Sequence, residues 1–380
     1  MTKTNPFILT PMIPDEYFCD RGKETESLIR SITNQENVVI TSPRRMGKTV
    51  LIYHCFNQPV IKDNYLTVSI DILHTTTLRE LIMELGSAVF KHIAKRNERL
   101  LKLFTTGLRS LSGSFGYDPI QNTPTFDIRL GQITAPEYTL DEIFDYLERA
   151  DKPCIVAIDE FQQITNYPEK NVEALLRGKI QRLVNTHFIY AGSERRIMNE
   201  MFYSNKRPFY QSATLMPLAP IELDKYADFV TSHFKQAKKD IHFDTIKSVY
   251  EMFDGVTLYI HRVFHDAYIE TMSDQTCSTA DTIRIARNIL LQNEKRMQEM
   301  LAFVTEQQKE LLYAIAEEGT VSRITSSEFV RKHSLKSASA VQSAVRKLLE
   351  YEIITENGHQ YSIADPLLRI WLKQRHDISA

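Results

Sequence analysis

Residues 37–49, NVVITSPRRMGKT, decide the fold class of this 380-residue chain. Their first six positions form a short apolar run rich in β-branched side chains, which predicts a buried strand. Residues 47–56 then show the pattern of a helix. Between them, residues 42–49 match G-x-x-x-x-G-K-[ST], except that Ser42 stands where the first glycine is expected. We therefore predict a strand, a phosphate loop formed by residues 42–49, and a helix.

The phosphate loop needs particular residues at particular positions. A tight loop points successive backbone N–H groups at phosphate oxygens, and the following helix N-terminus adds a favourable dipole. We expect Gly47 to permit close backbone approach, Lys48 to reach the β- and γ-phosphates, and Thr49 to ligate Mg²⁺. The predicted nucleotide-binding residues of the loop are Ser42, Pro43, Arg44, Arg45, Met46, Gly47, Lys48 and Thr49. Arg44 and Arg45 can equally face solvent, because variable loop positions tolerate many residues.

A second apolar run ends in two carboxylates. Residues 153–158 predict a buried strand, and Asp159 and Glu160 follow it directly. In phosphoryl transfer, one such carboxylate joins the Mg²⁺ shell and the other lies beside the attacking water. We assign the metal role to Asp159, together with Thr49, and the role of general base to Glu160. A G-K-T sequence also follows strands by chance, but the acidic pair in matching order argues against that alternative.

Ser193 and Arg207 complete the predicted catalytic set with Glu160 and Lys48. Ser193 follows a strand predicted over residues 187–191, so it can orient water or the γ-phosphate, or it can cap the helix that begins at Glu194. Arg207 lies beyond that helix, where it can supply positive charge to the transition state or be a solvated surface arginine. If Arg207 completes a neighbouring subunit's site, the protein must assemble; the oligomeric state is open.

Strands alternate with helices through residues 1–220, which we predict to be the P-loop ATPase core. This alternation predicts a largely parallel sheet with helices on both faces and a ligand site at the carboxyl ends of the strands. Residues 108–131 interrupt the pattern with Gly, Ser, Pro and Asn around two short candidate strands, at 113–117 and 125–130, so we expect an inserted hairpin there. The fold class is therefore α/β.

Two smaller domains are predicted after the core. Beyond Pro220 the strand signals stop, and residues 221–303 show only helical patterns, which indicates a helical lid domain. Residues 304–380 show three helices and a hairpin that turns at Asn357-Gly358, which indicates a winged helix-turn-helix domain.

Composition excludes several classes of protein. The formal net charge of -2 and the pI near 6.6 argue against a protein that coats nucleic acid through overall positive charge. Four scattered cysteines without a CxxC pair suggest neither a zinc site nor a disulfide framework. No segment approaches the roughly 20 apolar residues of a membrane span. We expect a cytoplasmic protein with no membrane partner.

The runs FCDRGKE at residues 18–24, NVVITSPRRMGKT and VAIDEFQQI together resemble the archaeal-type ATPase family. That family belongs to the STAND branch of the AAA+ and related P-loop ATPases, with a core, a helical lid and a trailing winged helix. The resemblance covers almost the whole chain and implies ATP as the nucleotide. It also implies that Asp20 and Arg21 lie near the adenine and ribose. In the lid, DGVTLY resembles a G-x-P element but has Thr257 in place of proline.

The predicted recognition helix of the winged domain has a polar and basic outer face. Small polar and basic residues suit a DNA groove, but acidic and basic side chains roughly balance between Thr305 and Ala380, whereas phosphate binding favours clustered positive charge. Binding of a protein partner, or regulation within the chain, is the alternative. The candidate DNA contacts are Ser337, Ser339, Gln342, Ser343, Arg346 and Lys347.

Three functions are compatible with these features of the sequence. We favour a nucleotide-dependent molecular switch that hydrolyses ATP, with ATP and Mg²⁺ as cofactors. A DNA-binding ATPase acting in replication, mobile-element maintenance or transcription is the first alternative, and a catalytically silent ATP-binding scaffold is the second. A small-molecule kinase is disfavoured, because Glu160 after Asp159 better suits activation of water than of a substrate hydroxyl.

Overall fold

The computed structural model describes residues 5–94, 107–108, 110, 115–118, 123–126 and 133–379. The chain divides into two compact units. The first unit consists of Thr10–Ala219, and the second consists of Met1–Leu9 together with Pro220–Ala380. The phosphate loop belongs to the first unit, and the predicted lid and winged helix belong to the second. Within the described residues, no helix is long and apolar enough to cross a membrane.

A five-stranded parallel sheet forms the centre of the first unit. The strands of this unit, in chain order, are β1 (Val38–Thr41), β2 (Leu66–Asp71), β3 (Phe115–Asp118), β4 (Thr123–Phe126), β5 (Cys154–Asp159), β6 (Thr186–Gly192) and β7 (Thr214–Pro217). The sheet order is β2-β5-β6-β1-β7, and each neighbouring pair is parallel. The central strands β1, β5 and β6 are buried along their whole length, as expected for strands covered on both faces. The predicted α/β fold with a parallel sheet is confirmed.

Helices surround this sheet and link its strands. They are α1 (Gly22–Thr33), α2 (Lys48–Asn57), α3 (Pro59–Lys62), α4 (Leu78–Ala94), α5 (Pro136–Glu148), α6 (Val172–Ile180) and α7 (Arg195–Tyr203), with 3₁₀ turns at Asp15–Tyr17 and Phe161–Asn166. The helix predicted over residues 172–184 ends early, at Ile180. Its continuation fails because the N–H groups of Val184 and Asn185 donate to the Glu148 carboxylate, at 2.7 and 2.9 Å, instead of to helix carbonyls.

An antiparallel pair of strands lies where the inserted hairpin was predicted. Strand β3 pairs with β4, with Phe115 opposite Phe126 and Asp118 opposite Thr123. Both strands are offset by about two residues from the predicted segments. The remaining parts of those segments, residues 113–114 and 127–130, lie outside the described residues.

The second unit contains the predicted helical lid. Its helices are α8 (Leu223–Gln236), α9 (Phe243–Met252), α10 (Thr257–Glu270) and α11 (Thr279–Ala302). The prediction that strands stop beyond Pro220 is wrong, because β8 (Asp240–Ile241) pairs in parallel with β9 (Thr276–Cys277). Each of these strands has only two residues, which is too short for an alternating pattern to appear in the sequence.

The N-terminal segment belongs to the second unit and is anchored there by Phe7. This side chain is fully buried, and six aromatic or histidine rings of α8 and α10 surround it with ring centroids 5.5 to 6.4 Å away. The Asn5 side chain donates to the carbonyl oxygen of His265 at 3.0 Å. Nothing in the spacing of residues 5–7 predicts this long-range packing.

His261 lies in this aromatic cluster and gives a pH-dependent prediction. Burial, followed by the charges of His265 and His233, lowers its pKa from 6.5 to about 4. Because the unfolded chain binds this proton more tightly, stability is fully present above pH 6.5 and falls by up to ~1.4 kcal/mol per pH unit between about pH 6.5 and 4. Urea unfolding of the wild type and of His261→Phe across this pH range should show that the free energy of unfolding falls less steeply in the variant as the pH is lowered. The same dependence on pH in both proteins would contradict the lowered pKa of His261.

The winged helix is built from three helices, a small sheet and a terminal helix. Its elements are α12 (Glu306–Glu318), β10 (Thr320–Val321), α13 (Ser327–Lys332), α14 (Ala338–Glu350), β11 (Ile354–Asn357), β12 (Gln360–Ile363) and α15 (Pro366–Ser379). Strand β10 was not predicted, and it pairs with β12 on the side opposite β11. The hairpin turns at Gly358 and His359, one residue later than predicted, because both have the positive φ of a two-residue turn (52° and 67°) while Asn357 pairs with Gln360.

The lid helices and the winged helix contact each other within the second unit. Arg369 forms an ion pair with Asp254 at 2.7 Å and donates to the carbonyl oxygen of Met252 at 3.0 Å. The Tyr259 hydroxyl donates to Asp365 at 2.9 Å. The predicted boundary at residues 303–304 lies inside this unit and stays a prediction.

Candidate active site

The phosphate loop connects β1 to α2 in a conformation that suits an anion. Arg45 and Gly47 have positive φ angles of 68° and 90°, which curl the backbone ahead of α2. No side chain caps the first turn of α2, so its N–H groups are available to a ligand. Ser42 is buried and does not have positive φ, so a serine fits this position without backbone strain.

Lys48 is folded back onto its own loop. Its ammonium group donates to Ser42 O and Ser42 Oγ, each at 3.3 Å, and to Pro43 O at 3.4 Å. These three bonds are long and end on neutral oxygens, so they are weak compared with bonds to an anionic phosphate. The side chain is buried, which strengthens its attraction for such an anion.

Thr49 and Asp159 meet at the carboxyl end of the sheet. The Thr49 hydroxyl, in the first turn of α2, donates to Oδ2 of Asp159 at the end of β5. The backbone N–H of Glu160 donates to Oδ1 of the same carboxylate at 3.0 Å. Burial raises the pKa of Asp159, and the bond from Thr49 opposes this rise. The structure therefore brings the two predicted Mg²⁺ ligands together.

These oxygens fit a magnesium ion. A hydroxyl and a buried carboxylate are hard oxygen ligands, and Mg²⁺ usually takes one or two protein oxygens together with water and phosphate oxygens. In the part of the chain that is described, no group of three or more His, Cys, Asp or Glu side chains is placed to hold a metal.

Glu160 is held by Ser193 and by Gln162. The Ser193 hydroxyl donates to Oε2 of Glu160 at 2.7 Å, and the Gln162 amide donates to the same oxygen at 2.6 Å. Burial favours a higher pKa for Glu160, but these hydrogen bonds and the charge of Lys48 outweigh it and lower the pKa. The side chain is therefore an ionised acceptor at neutral pH.

Residues 18–263 match the model of an ATPase domain family predominantly from Archaea. The chain belongs to this family. Residues 295–374 separately match a probable winged helix domain, in agreement with the fold of that segment. The phosphate loop, Asp159, Glu160 and Ser193 all lie within the range that matches the ATPase domain family.

Several solved structures resemble this chain over almost their whole length. The Walker-type ATPase PABY2304 of Pyrococcus abyssi is 20% identical with a TM-score of 0.69, over 97% of this chain and 99% of that one. The ORC2 protein of Aeropyrum pernix, solved as ADPNP-ADP complexes, is 12% identical with a TM-score of 0.60, over 100% and 99%. The ORC1 protein of Aeropyrum pernix in complex with DNA is 11% identical with a TM-score of 0.51, over 99% and 97%. At these identities the likeness shows a shared fold. No curated protein sequence matches the ATPase.

Ser193 and Arg44 are linked across the site of the ATPase. The capping alternative for Ser193 is not what the structure shows, because helix α7 begins at Arg195 without a side-chain cap and the Ser193 hydroxyl bonds to Glu160. Arg44 is exposed, and its Nε donates to Ser193 Oγ at 3.4 Å. Burial raises the pKa of Glu194, and the charge of Arg44 opposes this rise.

Arg21 reaches the phosphate loop from the N-terminal side of the ATPase core. The guanidinium is buried and donates to Ala219 O at 2.7 Å, to Glu24 at 3.0 Å and to Met46 O at 3.4 Å. Asp20 precedes it with a positive φ of 48°. Adenine and ribose binding by Asp20 and Arg21 stays a prediction from the resemblance.

Arg207 is engaged in ion pairs of its own. Its guanidinium lies 2.5 Å from the Glu173 carboxylate on α6 and 3.7 Å from Glu200 on α7. Burial raises the pKa of Glu173, and the charge of Arg207 opposes the rise. The described contacts of Arg207 do not include the phosphate loop, so a catalytic role for it stays a prediction.

Proposed function

We propose that this protein hydrolyses MgATP and uses its nucleotide state as a molecular switch. The observation that carries the proposal is the contact between Thr49 and Asp159, whose carboxylate also accepts a hydrogen bond from the backbone N–H of Glu160. In this proposal Thr49 and Asp159 are the Mg²⁺-binding pair and Glu160 is the general base. Membership of an ATPase family supports the same chemistry.

Each residue of the site has a proposed task. The backbone N–H groups of the phosphate loop and the Lys48 ammonium bind the phosphates, with the ammonium exchanging its long bonds to Ser42 and Pro43 for phosphate oxygens. Thr49 and Asp159 would hold Mg²⁺, which when bound neutralises phosphate charge. Glu160 accepts a proton from the attacking water, and Ser193 orients Glu160.

The position of Arg21 supports the switch. Its single guanidinium contacts both the Met46 carbonyl in the phosphate loop and the carbonyl of Ala219, the last residue of the first unit. A ligand that changes the conformation of the phosphate loop would therefore also affect, through Arg21, the segment that leads into Pro220. Solution scattering of the whole chain with ATP and with ADP tests this proposal, and identical scattering in both states would contradict it.

The hydrolysis proposal is tested by phosphate release from ATP, measured with Mg²⁺ and with a chelator. Turnover that depends on Mg²⁺ is the expected result. ATP binding without turnover would favour the silent scaffold over the hydrolase. Ser42 argues against that outcome, since it does not have positive φ and therefore occupies the glycine position without backbone strain.

DNA binding through the winged helix is a second candidate function. In α14, Val341, Ala344, Val345 and Leu348 are buried, while Gln342, Ser343 and Arg346 are exposed. Two of the predicted DNA-contacting side chains already have partners within the chain, because Ser337 caps α14 and Lys347 forms an ion pair with Glu350 at 2.8 Å. The likeness to the DNA-bound ORC1 fold also supports this candidate.

The Arg346→Ala variant tests the DNA candidate. Loss of one phosphate contact is expected to weaken duplex binding and to lower the slope of log affinity against log salt by about 1. Fluorescence anisotropy at several salt concentrations measures both quantities. If the variant and the wild type have the same affinity for duplex DNA and the same salt dependence, α14 is not the DNA-binding helix.

A further inference from the structure

Gln162 is a buried polar residue next to the proposed general base. It lies in the 3₁₀ turn Phe161–Asn166, two residues after Glu160, and its side chain is 1% exposed. Its amide group donates to Oε2 of Glu160 at 2.6 Å. This is a short bond to an ionised acceptor, which belongs to the stronger class of protein hydrogen bonds.

The described hydrogen bonds to the Glu160 side chain all end on one oxygen. Oε2 accepts from the Gln162 amide at 2.6 Å, from the Ser193 hydroxyl at 2.7 Å and from the Ser193 N–H at 3.3 Å. Within the described residues, none ends on Oε1. The backbone of Glu160, directly after β5, is in the left-handed region with φ of 54°, a conformation that is uncommon for residues other than glycine.

Folding stability alone does not account for a glutamine at this position. Its Oε1 atom is buried and has no hydrogen-bond partner, which weakens folding. Its placement also depends on Gly192, because a Cβ there would lie 2.6 Å from Gln162 Oε1 and 2.5 Å from Met198 Cγ. The chain thus keeps a side chain with an unsatisfied buried oxygen, and the amide of that side chain donates to the Glu160 carboxylate.

We propose that Gln162 is a positioning residue for ATP hydrolysis. Together with Ser193 it locks Oε2 of Glu160, which leaves Oε1 as the oxygen that accepts the proton of the attacking water. The water oxygen then bonds to the γ-phosphorus, the bridging P–O bond breaks, and its electron pair leaves with ADP. This inference rests on the proposed hydrolysis.

The Gln162→Met variant, which keeps the length of the side chain and removes the amide, tests the proposal. We expect kcat to fall by about 10- to 100-fold, the size of one hydrogen bond to a charged group, with KM and the Kd for ATP within about threefold. Gln163→Met is the matched control, because the Gln163 side chain donates to Thr75 O at 2.9 Å, and its bond to the Glu160 carbonyl oxygen comes from the backbone N–H, which the variant keeps. It should retain wild-type kcat. Equal losses in kcat and ATP affinity would identify a structural role for Gln162 and overturn the proposal.

Double-mutant cycles between Gln162→Met and Glu160→Ala separate the contact from the chemistry. In single-turnover hydrolysis, Gln162→Met should have no further effect once Glu160 is removed, whereas additive losses would overturn the positioning role. A second cycle, on the unfolding equilibrium constant, should also be non-additive. Absence of ATP turnover in the wild type would overturn the proposed hydrolysis. Additive effects of the two substitutions on the free energy of unfolding would overturn the stabilising contact between Gln162 and Glu160, whether or not turnover is seen.

Discussion

Glu160→Gln is expected to lower kcat for ATP hydrolysis by about 10²- to 10⁴-fold and to leave the Kd for ATP within about threefold. The amide that replaces the carboxylate can still accept the bonds from Ser193 and Gln162, so the local fold should persist. It cannot accept a proton from water at neutral pH. Steady-state phosphate release and calorimetric ATP binding, measured on the same preparation, give the two quantities.

Glu194→Gln is the matched comparison for this prediction. Glu194 is a half-buried carboxylate in the same region, and its pKa is raised first by burial and then by the charge of Glu160. If Glu160 is the base, Glu194→Gln should reduce kcat by less than about tenfold. A large loss of kcat in Glu194→Gln, together with near-normal kcat in Glu160→Gln, would identify Glu194 as the general base instead of Glu160.

Lys48→Ala is expected to weaken ATP binding by about 10- to 100-fold and to remove measurable turnover at ordinary ATP concentrations. The buried ammonium is the charge that the phosphate loop brings to the phosphates, and its present bonds to Ser42 and Pro43 are long ones to neutral oxygens. Titration calorimetry with ATP measures the loss directly.

Lys62→Ala controls for the removal of one positive charge from the same unit. Lys62 is exposed at the end of α3, away from the phosphate loop in sequence, and its removal should leave the Kd for ATP unchanged. An unchanged Kd in Lys48→Ala as well would show that the loop does not bind phosphate through this residue.

The sheet and its site were predictable because their signals are local. Strand β1, the phosphate loop and α2 are contiguous, and β5 ends on Asp159 with Glu160 immediately after it. Parallel strands bring their carboxyl ends to one edge, so the sequence alone implied that Thr49 and Asp159 would meet there. The contact between these two side chains agrees with that expectation.

The parts that sequence reasoning missed depend on tertiary contacts or on very short elements. Strands β8, β9 and β10 have two residues each, which leaves no period to detect. The burial of Phe7 is decided by helices more than 200 residues further along the chain. The bond between Gln162 and Glu160 depends on a 3₁₀ turn and on the space that Gly192 leaves, and neither has a recognisable sequence signal.

The central claim is that the phosphate loop, with Thr49 and Asp159, binds MgATP. Calorimetric titration of the folded 380-residue chain with ATP, in Mg²⁺ and in chelator, tests it most directly. Wild type should bind ATP in both conditions and more tightly with Mg²⁺, and Asp159→Asn should lose most of the difference between them. Absence of ATP binding by folded wild type in the presence of Mg²⁺ would contradict the claim.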